Sequence, residues 1–580
     1  MVLRRVEDED GAGTAGREAR AAEIIGVVGA GTMGAGIAQL AARAGAQTLL
    51  YDPVADALEL GAHKVRDGLS KEAAKGRITA EQAGAAGERL QTVSHVRELS
   101  ACELVIEAAP ERIELKHELF ALLCEVVGEH CVLATNTSSL LVSAVASAAT
   151  RPQRVVGMHF FNPAPLMALL EVVAGEQSGE EALALAEGTG RAMGKTVIRA
   201  ADGPGFLVNR CNRPFGLEAL RLLQERIAPL ETIDQVCRMA GGFPMGPFEL
   251  MDLVGVDTGF EVSKSFFAQS FGEPRWRPSA ITARYVAAGR LGRKSGRGYY
   301  DYSGAAPDAP GAAGAGGAGA GRRVHRESDP EPPQAGAGEG VVVISGAGAL
   351  FEELHAAAEQ AGYEVRPPHA PSAGVLPSLA IDCGLGQLRG GGGAREHAPL
   401  EPAQAAGAAT GGALLLLCAR GSLSALDPGG SAVGFHALAP FAQSRIVELT
   451  RSESSSPVAA ARAERFFNAL GKHVVWVGDA PGLVLGRIVC QVINEASFAL
   501  GEGVGAPRDI DLGMVLGVGH PRGPLEWADM IGVQHVLAVL GALCDEYREE
   551  RYRPAPALTR LAAAGRLGRS AGAGFFDYVR

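Results

Sequence analysis

The chain of 580 residues has no long apolar run and no cluster of basic residues. Its longest apolar run, Ala413 to Ala419, is far shorter than the roughly 20 residues that a membrane-spanning helix needs. Lysine and arginine are scattered along a chain whose formal net charge is −11. Because nucleic acids and anionic membranes attract clustered positive charge, we expect neither of them as a partner.

Cysteine is also sparse, with nine residues of which no two form a CxxC pair. An odd, dispersed set is typical of a reducing compartment rather than of a disulfide framework or a zinc site. Residues 1–22 are polar and mixed in charge and lack the apolar segment of a secretion signal. These absences predict a cytoplasmic protein with a disordered leader over residues 1–22 and with no metal.

The apolar patterns divide the following residues into an α/β part and a helical part. Strand-like and helix-like segments alternate over residues 23–203, whereas residues 204–302 are helical in periodicity. This order predicts a Rossmann-type α/β domain, with a charged helical hairpin at 54–90, followed by an all-α domain. Residues 303–340 are rich in Gly, Ala and Pro and predict a linker.

The second half of the chain repeats the first. FPMGPFELMDLVGVD begins at residue 243 and returns as HPRGPLEWADMIGVQ from residue 520, 277 residues later. LGRKSGRGYYDY and DGPGF return at nearly the same offset as LGRSAGAGFFDY and DAPGL. A nearly constant offset across separated segments indicates a duplicated unit. We therefore predict a degenerate Rossmann-like domain at 341–480 and a second helical domain at 481–580.

The segment GAGTMG follows an apolar strand and opens a helix. In such a turn Gly29 permits the tight bend, Gly31 lets a diphosphate approach the backbone, and Gly34 lets the helix pack on the strand. The diphosphate would sit at the helix N-terminus, where amides are unpaired. Asp52 ends the next strand, 23 positions after Gly29, where a carboxylate binds ribose hydroxyls and repels a 2′-phosphate. The flanking segments, more than the glycines, predict a site for NAD rather than NADP.

A histidine and a glutamate lie 12 residues apart on neighbouring predicted strands. His159 ends an apolar strand in MHFFNP, and Glu171 interrupts the apolar run LLEVV, where a charge needs a partner. A lone histidine after a strand is more often structural, and a lone glutamate more often lies on the surface. Together, however, they form a base for a hydroxyl proton and the carboxylate that orients it.

Four further polar residues are candidates for the site, and two of them, Ser138 and Asn209, lie at the ends of predicted segments. Ser138 in NTSS and Asn209 in GFLVNR could hydrogen-bond a reacting oxygen or a thioester carbonyl, although each alone is more often a cap or a turn residue. Glu111 and Lys116 in ERIELK would lie beside the ribose and nicotinamide. Their simpler interpretation is a solvated ion pair on a helix.

The motifs GAGTMGAGIA, VIEAAPERIELK, NTSS, RVVGMHFFNPAP, LLEVV and DGPGFLVNR, in this order, resemble the L-3-hydroxyacyl-CoA dehydrogenase family over residues 23–302. Members of that family have a Rossmann-type domain and a helical domain that dimerises. The appended second copy is similar to the long, 3-hydroxyadipyl-CoA-type members of phenylacetate breakdown. The resemblance implies NAD-dependent oxidation of a 3-hydroxyacyl-CoA in β-oxidation or phenylacetate-type catabolism.

The resemblance also implies roles for individual residues. His159 would be the base and Glu171 its orienting carboxylate, and Ser138 and Asn209 would bind the substrate. Lys75 on the helical hairpin, together with Ser138, would contact coenzyme A. The NAD site would comprise Gly29, Ala30, Gly31, Thr32, Met33, Gly34, Asp52, Glu111, Lys116, Asn136, Ser138, Asn162 and Lys294.

The second copy departs from this pattern. Its glycine turn reads GAGALF, with Phe351 in place of the third glycine, and its next strand ends in EVRPP without an acid. His436 and Glu448 keep the spacing of the first pair, but Gly486 stands where the first copy has Asn209. We therefore expect a fold partner whose helical domain replaces the second subunit of a dimer, giving an internal pseudo-dimer. A second functional site and a true homodimer are the competing interpretations.

Two other functions fit part of the sequence. Sugar-acid dehydrogenases share the scaffold and the His/Glu pair, but Lys64, Lys71 and Lys75 on the hairpin offer cations for the phosphates of coenzyme A. A non-catalytic dinucleotide-binding protein would fit the second half. It would leave the polar residues of the first half unexplained.

Overall fold

The structure is a computed structural model that describes residues 20–303, 329–368, 376–385 and 413–579. They form two compact units, of which the first ends at Asp202 and the second begins at Gly203. The predicted leader, apart from residues 20–22, lies outside the described residues. So do most of the predicted linker and two segments of the predicted degenerate domain.

The first unit is built on a sheet of eight strands. These are β1 (Ile24–Val28), β2 (Gln47–Tyr51), β3 (Leu90–Val93), β4 (Leu104–Glu107), β5 (Val132–Thr135), β6 (Val155–Phe160), β7 (Leu169–Ala174) and β8 (Thr196–Ala201). Their order is β3-β2-β1-β4-β5-β6-β7-β8, and only β6 and β7 pair antiparallel. The strands are apolar and mostly buried because helices cover both faces of such a sheet. This arrangement confirms the predicted Rossmann-type fold.

The antiparallel pairing of β6 and β7 is a feature that the sequence patterns do not predict. The connection between these strands, residues 161–168, is shorter than the dozen or more residues that a parallel crossover requires. The chain therefore turns back directly, and residue 159 comes to lie opposite residue 171.

The helices of the first unit connect these strands. Residues 54–90 hold two of them, and the second begins with a capping box in which Thr79 and Gln82 bind each other's backbone amides. The first packs against the glycine turn and the helix that follows it, since a Cβ on Gly61 would lie 2.7 Å from Cβ of Ala30 and one on Gly68 would lie 2.1 Å from Oε1 of Gln39. The α-helices are Thr32–Arg43, Ala55–Ala74, Ala80–Arg89, Ile113–Val126, Val142–Ala146 and Glu180–Ala192, with 3₁₀ turns at Val96–Ala101 and Pro152–Arg154.

The second unit begins with an all-helical part, as the periodicity predicts. Its longest helix, Val208–Gln224, is strongly amphipathic and buries one face. The helices are Val208–Gln224, Leu230–Met239, Pro247–Val254, Val256–Gln269 and Ala280–Ala287, with 3₁₀ turns at Pro274–Trp276 and Arg293–Ser295.

The second unit continues with a sheet of seven strands and a further helical part. The strands are β9 (Val341–Gly346), β10 (Glu364–Arg366), β11 (Leu379–Cys383), β12 (Leu414–Leu417), β13 (Val433–His436), β14 (Ile446–Arg451) and β15 (His473–Trp476). Their order is β10-β9-β11-β12-β13-β14-β15, and β13 and β14 alone pair antiparallel among these strands. The described helices are Ala349–Ala361, Leu423–Leu426, Pro457–Ala469, Leu485–Gly501, Pro507–Val518, Pro524–Ile531, Val533–Tyr547 and Pro556–Ala563, with 3₁₀ turns at Phe441–Gln443, Glu550–Tyr552 and Arg569–Ala571.

The two helical parts use corresponding residues in the same way. Asp252 accepts hydrogen bonds from the amides of Tyr299 and Tyr300 at 2.9 and 2.8 Å. Asp529, 277 residues later, accepts the equivalent bonds at 2.8 and 2.9 Å. The motifs that repeat in the sequence therefore make equivalent contacts in the two helical parts.

The helical parts pack on each other through reciprocal ion pairs. Arg487 is fully buried, and its guanidinium donates to Glu218 at 2.5 Å and to Glu225 at 2.6 Å. Arg210 is the residue that corresponds to Arg487 in the first copy, 277 positions earlier. It donates to Glu495 at 2.9 Å and to Glu502 at 2.6 Å, which correspond to Glu218 and Glu225 in the second copy. Interchanged partners of this kind define an isologous interface.

The described ranges contain neither a cluster of metal ligands nor a single membrane-spanning helix. No group of three or more His, Cys, Asp or Glu side chains in these ranges is arranged to hold a metal ion. No single described helix is long and apolar enough to cross a membrane. The helices Pro524–Ile531 and Val533–Tyr547 reach that length only together, and they are bent by 98°.

Candidate active site

Two neighbouring strands bring a histidine and a glutamate into contact. In the register of β6 and β7, His159 lies opposite Glu171, and its Nδ1 is 2.6 Å from Oε2 of the carboxylate. Both side chains are buried, and the ring centroid of Phe161 lies 4.6 Å from that of the imidazole. A carboxylate on Nδ1 selects the tautomer in which Nε2 accepts a proton, and it stabilises the resulting imidazolium.

The glycine turn is tightly packed at two positions and open at a third. A Cβ on Gly34 would lie 1.8 Å from the carbonyl oxygen of Gly29, and one on Gly29 would lie 2.6 Å from that of Ala108. Around Gly31, by contrast, no described atom outside Gly31 and its two chain neighbours lies within 4 Å of a Cβ position. The helix that begins at Thr32 has no acidic residue in its first turn. The turn therefore offers space and unpaired amides to a dinucleotide diphosphate.

Asp52 holds the turn in place from the next strand. Its Oδ2 accepts a hydrogen bond from the amide of Ala30 at 2.8 Å, and its Oδ1 accepts one from Val54 at 2.9 Å. Thr32 is exposed at the start of the helix, and Met33 is half-buried against the core. Asp52 therefore fixes the turn in addition to the ribose contact expected of it.

Lys116 lies at the centre of a buried network. Its Nζ donates to both oxygens of Glu107 at 2.6 and 2.8 Å and lies 3.3 Å from Glu111. Only 1% of Lys116 is exposed, so the solvated ion pair, the simpler interpretation from sequence, is wrong. Glu107 is a residue that sequence reasoning missed. The signal was present, because an acid at the end of the apolar strand LVIE needs a buried partner.

Glu111 positions the NTSS loop. Its Oε1 accepts hydrogen bonds from the hydroxyl of Thr137 at 2.6 Å and from the amides of Ser138 and Ser139 at 3.0 Å each. Burial raises the pKa of Glu111, but the charge of Lys116 and these hydrogen bonds outweigh it and leave the pKa below its ordinary value. An ionised Glu111 therefore fixes Ser138, whose side chain is exposed.

Asn136 joins the NTSS loop to the strand of the base. Its Oδ1 accepts a hydrogen bond from the amide of Phe160 at 2.8 Å. Asn162 is exposed in the connection between β6 and β7. Asn136 therefore binds the residue that follows His159, and Asn162 lies three positions after His159 in the chain.

A lysine that sequence reasoning missed fixes the same connection. Nζ of Lys195 donates to the carbonyl oxygens of Ala164 and Met167, each at 2.6 Å. Burial, together with the nearby charge of Arg43, lowers the pKa of Lys195 to about 8. Lys195 immediately precedes a strand in a polar context, so its sequence gives no sign that the amino group points inward.

The other predicted site residues lie on separate elements. Lys75 is exposed at the end of the first hairpin helix. Asn209 is half-buried in the first turn of the helix Val208–Gln224. Lys294 is exposed and pairs with Asp257 at 2.6 Å.

The second copy keeps the positions of the His/Glu pair but not their contact. His436 lies opposite Glu448 in the register of β13 and β14, yet its Nε2 is 3.1 Å from Nε2 of His535. Glu448 accepts hydrogen bonds from the amides of Val484 and Leu485 at 2.7 and 3.1 Å. Burial holds the pKa of His436 well below its ordinary value. The pair is therefore not arranged as a base and its orienting carboxylate.

Family comparisons cover most of the chain. Residues 24–203 match the model for the 3-hydroxyacyl-CoA dehydrogenase NAD binding domain. Residues 205–302 match the model for the 3-hydroxyacyl-CoA dehydrogenase C-terminal domain, and residues 482–578 match the same model again. The second match coincides with the repeat.

Individual relatives match either more than nine-tenths of the chain or about half of it. The chain is 35% identical to the 3-hydroxyadipyl-CoA dehydrogenase of Escherichia coli over 93% of this chain and 97% of that protein. It is 40% identical to a probable 3-hydroxybutyryl-CoA dehydrogenase of Bacillus subtilis over 48% of this chain and 96% of that protein. A crystal structure of 3-hydroxybutyryl-CoA dehydrogenase from Escherichia coli is 33% identical, with a TM-score of 0.73 over 94% of this chain and 98% of that one.

Proposed function

Because the chain belongs to the 3-hydroxyacyl-CoA dehydrogenase family, we propose that His159 and Glu171 carry the reaction of that family in this protein. The protein is an NAD-dependent oxidoreductase that converts (S)-3-hydroxyacyl-CoA to 3-oxoacyl-CoA. The observation that carries the assignment is the buried contact of 2.6 Å between Nδ1 and the carboxylate.

The proposed proton transfer uses the imidazole alone. Nε2 of His159 accepts the proton of the substrate 3-hydroxyl, and Glu171 stabilises the imidazolium without becoming protonated. When bound, NAD supplies the acceptor for the hydride that leaves carbon 3. Ser138 and Asn209 are the proposed hydrogen-bond donors to the reacting oxygen or the thioester carbonyl.

The described residues fit the cofactor. The open position at Gly31 and the amides that follow it would bind the diphosphate, and Asp52 would bind the ribose. We propose that Glu111, Lys116, Asn136, Asn162 and Lys294 complete the site. Of these, Lys116 acts through the buried network rather than as an exposed cation.

The phosphates of coenzyme A are proposed to bind at the helical hairpin. Lys64 and Lys75 are exposed, whereas the charge of Lys71 is already paired with Asp67 at 2.6 Å. Lys75 is therefore retained as the proposed contact, with Ser138 near the thioester end.

We further propose that the second copy is a fold partner in an internal pseudo-dimer. The reciprocal ion pairs of Arg210 and Arg487 support this proposal, because they are what an isologous dimer interface would contain. The domain boundaries at 203, 302, 340 and 480 and the cytoplasmic location belong to the same proposal. The nine free cysteines are compatible with a reducing compartment.

A substrate comparison tests the proposed function. NADH absorbance is followed with acetoacetyl-CoA, with (S)-3-hydroxybutyryl-CoA and with the free 3-hydroxy acid. Turnover of the thioesters alone supports the proposal. Turnover of the free acid would instead favour a sugar-acid or hydroxy-acid dehydrogenase. The relatives are named for tails that differ in length and charge, so their names leave the acyl tail open.

A further inference from the structure

The first helical part of the second unit contains a cavity of about 120 Å³. Three helices, Val208–Gln224, Pro247–Val254 and Val256–Gln269, supply most of its wall. The wall is mainly apolar, and Arg213 is the one charged residue among those that line it. Leu217, Leu250, Met251, Val254 and Phe260 are representative of the apolar lining.

The guanidinium of Arg213 has neutral neighbours. Nη1 donates to the hydroxyl of Ser263 at 3.1 Å, and Nε donates to the carbonyl of Asn209 at 3.4 Å. The guanidinium lies 5.1 Å from the ring centroid of Phe266. Among the described residues, no carboxylate forms an ion pair with Arg213, and no charged neighbour contributes to the shift of its pKa.

This situation differs from that of the nearby buried arginine. Arg210, one turn earlier, is matched by Glu495 and Glu502, which raise its pKa. Arg213 is half-buried, and its partial desolvation without such acids lowers its pKa to about 10. A desolvated cation without a counter-charge is costly, and a carboxylate that entered the cavity would offset that cost.

Arg213 lies one helical turn from Asn209, the residue proposed above to bind the substrate. It lies four residues after Asn209, so both side chains leave the same face of the helix, separated by a rise of about 6 Å. Asn209 is the residue assigned above to the reacting end of the acyl group. In a six-carbon dicarboxylic 3-hydroxyacyl chain, the free carboxylate is three carbon–carbon bonds beyond the carbinol carbon.

We propose that Arg213 binds a carboxylate at the far end of the acyl tail, so that the preferred substrates are dicarboxylic 3-hydroxyacyl-CoA thioesters. This proposal rests on the proposed function. A guanidinium binds a carboxylate through two parallel hydrogen bonds, whereas a methyl-ended tail would cover the charge without pairing it. The cavity therefore selects for tail charge as well as for tail length.

The test compares two thioesters of equal chain length, 3-hydroxyadipyl-CoA and 3-hydroxyhexanoyl-CoA. We expect the native protein to have the higher kcat/KM with the dicarboxylic compound. Arg213→Met should lower that value about 100-fold and leave the value for 3-hydroxyhexanoyl-CoA unchanged or higher. Arg284→Met, which removes an exposed arginine from the same helical part, should change neither value.

A binding measurement keeps the proposal independent of turnover and of folding. Adipyl-CoA and hexanoyl-CoA lack the 3-hydroxyl, and calorimetry should show that only adipyl-CoA loses affinity in Arg213→Met, while Arg213→Lys retains part of it. Unchanged NAD affinity would show that the variants are folded. Equal kcat/KM for both thioesters in the native protein, or an equal loss for both in Arg213→Met, would overturn the proposal. If the proposed function itself were wrong, the native protein would oxidise neither thioester, so the two failures are distinguishable.

Discussion

His436 lies directly against Gly486: a Cβ atom on this glycine would be 2.1 Å from Cε1 of the imidazole. In the first copy the corresponding position is Asn209, a proposed substrate residue. The second copy thus has no room for a side chain at this position, and its histidine contacts His535 instead of its glutamate. The geometry supports the interpretation that this copy does no chemistry.

We predict that the chain binds one NAD and that His436→Ala leaves kcat within about twofold of the native value, because this imidazole does not contact a carboxylate. Calorimetry with NAD gives the number of sites, and steady-state kinetics gives kcat. Two NAD sites per chain, or a loss of more than tenfold in His436→Ala, would contradict this interpretation.

Asp52→Ala should weaken NAD binding and narrow the preference for NAD over NADP. The carboxylate provides the proposed ribose contacts and would repel a 2′-phosphate, and it also accepts the hydrogen bond from Ala30. Cofactor titration followed by fluorescence measures both affinities. A native protein that used NADPH as well as NADH would rule out this role.

Lys195 makes the stability of the protein depend on pH. Its folded-state pKa of about 8 lies below the ordinary value of 10.5. Between these pH values the unfolded chain binds a proton that the folded chain has lost, so the free energy of unfolding rises with pH. Between pH 7 and 10.5 the free energy of unfolding of the native protein should therefore rise by up to about 3 kcal/mol relative to that of Lys195→Met.

Urea unfolding at the two pH values measures this difference. Lys64→Met serves as the control because Lys64 is exposed, and its difference from the native protein should not change with pH. A difference for Lys195→Met that was equally independent of pH would show that its amino group is not desolvated.

The reciprocal ion pairs predict a monomeric chain with a coupled interface. Arg487→Met would leave Glu218 buried without a cation, although the Tyr552 hydroxyl still donates to it, and should destabilise the protein by about 3–5 kcal/mol. Combining it with Glu218→Gln should restore part of that loss.

Sedimentation equilibrium should give the mass of one chain, whereas a mass of two chains would support a true homodimer.

The sequence predicts those parts of the site that depend on short, contiguous motifs. The glycine turn depends on residues within six positions, and the His159–Glu171 spacing needs only two adjacent strands. The burial of a charged side chain depends on how the surrounding elements pack. For that reason the buried Lys116–Glu107 pair and the inward Lys195 became evident only in the structure, whereas the antiparallel pairing of β6 and β7 follows from their short connection once the strand ends are known.

Whether Arg213 has an acidic partner is another property that the sequence does not predict. DGPGFLVNR ends three residues before Arg213 and contains the proposed substrate residue Asn209, but the motif does not show whether Arg213 has an acidic partner. That property depends on which side chains the neighbouring helices place around it. The sequence therefore suggests residues for the reacting end of the substrate but none for its tail.

The role of His159 is tested most directly by single-turnover oxidation of (S)-3-hydroxybutyryl-CoA in the native protein, His159→Ala and Glu171→Gln, with NAD affinity measured in parallel. His159→Ala should lower the rate by about 10²–10⁴-fold with NAD affinity unchanged. Glu171→Gln should also lower the rate and shift its pH profile, because the imidazolium loses its carboxylate. Near-native turnover in His159→Ala would contradict the account.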